Sequence, residues 1–260
     1  RDSMSKSIAL GICAEPSQAN DIAANYDYIE LSFSTVLSPL VDDGAFVEQM
    51  ASLKDLPLPA RACNNFVAAN VKVVGPDVDQ DLLIRYVETG FARAEALGVE
   101  RVVFGSGGAR RVPEGFSRQV AWEQLIAFCR LCSERAYPGL VIAIEPLNRG
   151  ECNIITSFGE GLRLERDVAE HNVGILADIY HLEMESEPVS VISEGADILS
   201  HVHLADSGRL YPGSGSYPLR ELFALLHRHE YTGRASVECR WGDNFAHEAS
   251  LAATFLRTLL

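Results

Sequence analysis

Eight short apolar runs, each separated from the next by enough chain for one helix, are spread along nearly the whole sequence and limit the folds open to it. The runs are SIALGIC (7–13), YDYIELSF (26–33), PARACNNF (59–66), RVVFGSG (101–107), LVIAIEP (140–146), VGILADIY (173–180), SHVHLAD (200–206) and RASVECRW (234–241). Short, apolar and partly β-branched, they read as strands. The stretches between them are amphipathic at helical spacing. In DQDLLIRYVETGFARAEALG, Leu83, Val87, Phe91 and Ala94 share one face and Gly98 supplies a stop. SRQVAWEQLIAFCRLCSERA, SFGEGLRLERDVAEH and PLRELFALLHRH repeat the pattern. Eight strand and helix units imply parallel strands joined by right-handed crossovers, which can close into a single-domain (β/α)8 TIM barrel spanning residues 7–260. A doubly wound open sheet is the alternative, but no glycine-rich dinucleotide fingerprint follows the first strand.

Bulk properties are compatible with one such domain. A chain of 260 residues is the length at which an α/β barrel commonly forms a single core. The net charge of −14, with no run of basic residues, argues against a nucleic-acid partner, which would require a positive stripe to displace counterions. Six cysteines, at 13, 63, 129, 132, 152 and 239, are mostly far apart in a chain too large to need disulfide staples; they read as buried thiols of a reducing compartment. Cys129 and Cys132 lie inside a helical stretch without a second ligand pair, so packing explains them better than zinc. No run is long enough to cross a bilayer, and the start lacks a signal-peptide pattern; the expected setting is cytoplasmic. Residues 1–6 read as a tag remnant or disordered N-terminus.

A barrel of this type carries its chemistry at the C-terminal ends of its strands. The fifth strand ends in Glu145, the sixth in Asp178, the seventh in His203 and the eighth in Glu238. A single acid at a strand end is commonly a helix cap or a solvated loop residue. Four metal-competent side chains at one depth on consecutive strands are a different matter. Three carboxylates and an imidazole gathered at one rim repel one another unless a divalent cation neutralises them. Oxygen donors with one nitrogen and no thiolate suit manganese, with magnesium or cobalt as alternatives, better than structural zinc. Such a cation polarises a carbonyl and acidifies the adjacent C–H, and Glu145 and Glu238, which bracket the other two ligands, are placed to take and return that proton. His201, two residues before His203, faces the same side one layer deeper and is expected inside the barrel in support of a ligand.

These stretches carry a family resemblance. IEPLNRGE, ADIYH, HVHLADSGR with YPGSG, and VEC are similar to the motifs of the xylose isomerase-like barrel superfamily, in its sugar phosphate isomerase/epimerase branch of the ketose 3-epimerase type. The resemblance is strong from about residue 140 onward and rests on the barrel rhythm before it. It implies that Glu145, Asp178, His203 and Glu238 hold a divalent metal, and that Glu145 and Glu238 exchange the proton of a metal-bound enediolate. It further implies that Glu151, His181 and Arg209 hold substrate oxygens. The implied substrate is a small keto-sugar or keto-glycoside, with epimerisation or isomerisation as the reaction and a homo-oligomer, dimer or tetramer, as the assembly.

Other readings stay open at this point. The same site can eliminate the aglycone of a 3-keto-glycoside as a lyase, act as an inosose isomerase or dehydratase, or persist in a sugar-binding partner subunit without catalysis. An apurinic-site endonuclease of the same superfamily would need more histidines and a basic groove. In the N-terminal half, Glu30, Asn64, Asn65 and Phe66 at strand ends are expected to set substrate choice. GSGGARR, after the fourth strand, reads as a tight turn in preference to a phosphate nest formed with Arg110 and Arg111.

Overall fold

The computed structural model describes residues 7–260, so the expected N-terminal remnant lies outside the described residues. Eight parallel strands close on themselves in sequence order: β1 (Ala9–Cys13), β2 (Tyr28–Ser32), β3 (Ala60–Asn64), β4 (Arg101–Phe104), β5 (Val141–Ile144), β6 (Val173–Asp178), β7 (Leu199–Leu204) and β8 (Arg234–Val237), with β8 pairing back onto β1. Around them lie α1 (Ala19–Ile22), α2 (Asp43–Lys54), α3 (Gln80–Leu97), α4 (Gly107–Arg110), α5 (Arg118–Arg135), α6 (Phe158–Val168), α7 (Ile179–Met184), α8 (Leu219–Arg228) and α9 (Phe245–Arg257). The chain is a single-domain (β/α)8 barrel. None of the described helices is long and apolar enough to cross a membrane.

Local chemistry explains where the helices start and stop. Asp79 accepts a hydrogen bond from the Leu82 amide at 2.9 Å and caps α3; Gly98, at φ 74°, ends it in a left-handed turn that other residues adopt at a cost. Ser117 and Ser157 cap α5 and α6 in the same way. From β2 to β8 the strands stop short of the ends of the apolar runs, whose last residues turn into the loops at the C-terminal rim of the barrel.

Most of the apolar core lies between barrel and helices. Phe66 sits at its centre, edge-on to Phe33 at 4.8 Å, stacked on Phe91 at 5.7 Å and packed on Phe104 and Phe128. That burial corrects the expectation for Phe66: its ring joins α3 and α5 to the sheet and is wholly removed from solvent. A separate small apolar cluster, Val103, Ala143 and Leu176, coexists with buried polar groups: Tyr28, Glu30, His201, His203 and Ser236. Gly11 makes room for Tyr28, since a Cβ there would lie 2.1 Å from its ring. The register slips by one residue at Arg61 on β3, opposite Ile29 and Glu30, and at Ser200 on β7, opposite Ile175 and Leu176.

Candidate metal centre and active site

Glu145 and Glu238 are the first residues beyond β5 and β8, Asp178 is the last of β6, and His203 is the penultimate residue of β7. The sheet therefore delivers all four to one rim. One ligand atom from each of Glu145, Asp178, His203 and Glu238 lies within 4.8 Å of every other. His203 Nδ1 is 3.1 Å from Glu145 Oε1, 3.4 Å from Glu238 Oε2 and 4.0 Å from Asp178 Oδ2.

The chemistry of these groups fits a divalent cation. Asp178 Oδ1 accepts from the Tyr180 amide and caps α7, but Oδ2 is buried without a hydrogen-bond partner. Burial, with Glu145 and Glu238 nearby, pushes the Asp178 carboxyl up. Burial also works against charge on His203, yet Glu238 and Glu30 hold its imidazolium well above the ordinary range. An orphaned carboxylate oxygen beside an over-protonated imidazole describes a set of donors that a cation would satisfy.

The two glutamates are held differently. Glu238 Oε1 accepts from Asn64 Nδ2 at 2.8 Å, and Oε2 accepts from Arg209 Nη2 at 2.9 Å. Burial raises its pKa, but His203 and Arg209 outweigh that and hold it well below the carboxylate range. Glu145 rests on the floor of the β4 loop, where a Cβ on Gly105 would lie 2.1 Å from its Oε2. Its carbonyl accepts from the buried guanidinium of Arg110, which also donates to the Phe104 and Ile155 carbonyls. GSGGARR thus forms a tight turn into α4, and Arg110 is spent on backbone carbonyls and is not available to an anion. Arg111 donates to the Glu151 carbonyl.

Glu151, His181 and Arg209 meet at the same rim. Arg209 Nη1 donates to Glu151 Oε1 at 3.1 Å while its guanidinium stacks 4.4 Å above the Tyr180 ring. The backbone of Arg209 is left-handed, at φ 60°, an uncommon conformation held here by a loop tied to Asp206, which accepts from the amides of Ser207, Gly213 and Tyr217. Asn148 presents its amide N–H to His181 Nδ1 at 3.1 Å, so Nε2 carries the proton and faces Asp178 Oδ2 at 3.6 Å. Beside the centre, a cleft of about 230 Å³ is lined in part by Cys13, Gln18, Ser32, Asn64, Asn65 and Trp241.

Sequence reasoning did not single out Asn148 or Gly105 and gave Asn64 only a general role. Asn148 was open to detection, three residues before Glu151 in the same motif; Asn64 and Gly105 act on partners 174 and 40 residues away, and no local pattern marks them. Glu30, expected to help set substrate choice, borders the cleft beside the centre but is only 1% exposed, and its carboxylate oxygens meet His201 and His203.

The family model of the xylose isomerase-like TIM barrel matches residues 21–259. The chain belongs to that family. Among its relatives, the L-ribulose 3-epimerase of Methylomonas sp. (strain DH-1) is 30% identical over 223 residues, covering 83% of this chain and 74% of the relative. The 3-dehydro-D-guloside 4-epimerase of Escherichia coli (strain K12) is 34% identical over 108 residues, 40% of each chain. Among solved structures, the D-psicose 3-epimerase of Clostridium cellulolyticum H10 has the same fold, with a TM-score of 0.83 at 20% identity over 97% of this chain and 99% of that one.

Proposed function

We propose that this family member is a divalent-metal-dependent epimerase or isomerase of keto-sugars. The observation that carries the reading is the convergence of Glu145 and Glu238 on one imidazole nitrogen, at 3.1 and 3.4 Å, beside an orphaned Asp178 oxygen. Relatives named for epimerisation of ribulose, psicose and a 3-dehydroguloside support the same class of reaction.

Glu145, Asp178, His203 and Glu238 would hold the cation, with manganese the assignment that three oxygens and one nitrogen favour. When bound, the cation supplies Lewis acidity that polarises the ketone and acidifies its neighbouring C–H. The chain does the rest. Glu238, kept ionised by Arg209 and by the Asn64 amide, takes the proton from one side of the substrate carbon. Glu145, on the other side of His203, returns one to the opposite face. His181, with Nε2–H pointing into the site, donates to the oxygen on which charge develops. Arg209 and Glu151 bind hydroxyls, and the polar cleft beside Asn64 and Asn65 receives the remainder of the sugar.

The test is incubation of the manganese-loaded protein with L-ribulose, D-psicose, D-fructose and a 3-keto-glucoside, with and without chelator, followed by NMR of the products. An epimer that forms only with metal supports the reading. Release of an aglycone without an epimer would make the protein a lyase, and metal-loaded protein inert toward every sugar would leave it a binding subunit.

A further inference from the structure

Glu30 takes no part in the reaction above, yet it is more deeply buried than Glu145, Asp178 or Glu238. It belongs to β2, and β1 and β8 separate it from β7 on the shorter way round the barrel. Its side chain crosses the interior and divides its oxygens between two rings. Oε2 lies 2.8 Å from His201 Nε2 and Oε1 lies 3.0 Å from His203 Nε2.

A buried carboxylate is expensive unless its lone pairs are met by donors. Each Glu30 oxygen has its own imidazole nitrogen within hydrogen-bond distance, at 2.8 and 3.0 Å, so both ends of a carboxylate are met by the two rings. An ionised carboxylate only accepts, so both Nε2 atoms must donate. That choice settles the other end of the His203 ring. With Nε2 carrying a hydrogen, the neutral ring has its lone pair on Nδ1, the atom that faces Glu145, Glu238 and Asp178. A lone pair aimed at three carboxylates is stable only with a positive species between them.

We propose that Glu30 is a positioning residue that fixes His203 in its Nε2–H form and so presents Nδ1 as the nitrogen donor of the cation site, an inference that rests on the metal-centre reading. His201 is the second anchor. Its ring stands 5.1 Å from that of His203 at 79°, and by holding Oε2 it keeps the carboxylate from rotating away from His203. Below it, Ser236 Oγ lies 3.4 Å from His201 Nε2 and 2.7 Å from the Tyr28 hydroxyl. Only a carboxylate serves both rings in this way: a glutamine in its place offers one acceptor, and a leucine none.

The direct test is the 15N spectrum of histidine-labelled wild-type protein loaded with diamagnetic Mg2+, together with calorimetric Mn2+ titration of wild type, Glu30→Gln and Glu30→Leu. The expected spectrum has His203 protonated at Nε2 and coordinated through Nδ1. Loss of the ring's orienting partner should weaken Mn2+ binding by roughly 10- to 100-fold in Glu30→Leu, and Glu30→Gln, retaining one acceptor for His203, should recover part of it. A ring coordinated through Nε2, or equal Mn2+ affinity in all three proteins, overturns the proposal while leaving the metal centre standing. Wild type that takes up neither cation overturns the metal centre and this inference with it. If Glu30→Leu does not fold, the wild-type spectrum and Glu30→Gln still decide.

Discussion

Gly105 measures how tightly the site is built at the scale of single residues. A methyl group there would lie 2.1 Å from Glu145 Oε2, and the neighbouring contact, Leu147, leaves the carboxylate as the part that must move. Gly105→Ala should therefore lower kcat by about 100-fold, the usual effect of displacing a reacting group by about 1 Å, with little change in Tm; a kcat close to wild type would show that Glu145 acts from another position. Steady-state kinetics and a thermal melt decide this together. Four of the residues that the structure brings together at one rim, Glu145, Asp178, His203 and Glu238, were legible in the sequence as metal-competent side chains at strand ends. Those that hold them were less legible. Glu30 meets its histidines across 171 and 173 residues, and a strand-end acid looks the same whether it faces substrate or an imidazole.

At the scale of elements, the ends of β4 and β5 are joined through Arg110, a fully buried cation that lies over the Phe104 ring and donates to three carbonyls. Arg110→Met keeps much of the volume and leaves those carbonyls buried without a donor. Unsatisfied buried groups cost about 1–3 kcal/mol each, and partial relaxation brings the expected loss to about 3 kcal/mol. Urea unfolding measures it; a loss under about 1 kcal/mol would mean that water or a rearranged loop replaces the guanidinium. The eight strands and the helices α3, α5, α6 and α8 were legible because period and caps are local properties: Asp79, Ser117 and Ser157 all stand where the amphipathic pattern begins. GSGGARR was harder to read. The same letters describe an anion nest or a turn, and the direction of Arg110, inward, depends on carbonyls from β5 and its loop.

The molecule as a whole should depend on its cation for stability. Binding at 100 times Kd adds about 2.7 kcal/mol, which for a chain of this size is a rise in Tm of roughly 5–10 °C. The effect should grow with pH. Without cation, the raised pKa of His203 means that its imidazolium stabilises the fold fully below the unfolded value, near 6.5, and that this contribution is lost as pH rises through the folded value. A cation must displace that proton, so its affinity rises over the same range. Melting curves with Mn2+ and with chelator, at pH 6 and pH 8, should show the larger difference at pH 8; equal differences would contradict the link to His203. The central claim concerns proton exchange at a carbon beside a carbonyl, and its most direct test is solvent deuterium incorporation into a keto-sugar substrate by wild type, Glu145→Gln and Glu238→Gln, each with manganese and with chelator. Exchange by metal-loaded wild type alone, with both variants folded and slowed by about 10²–10⁴-fold, is the predicted result. Exchange that survives chelation, or that either variant carries out at the wild-type rate, would contradict the two-glutamate account.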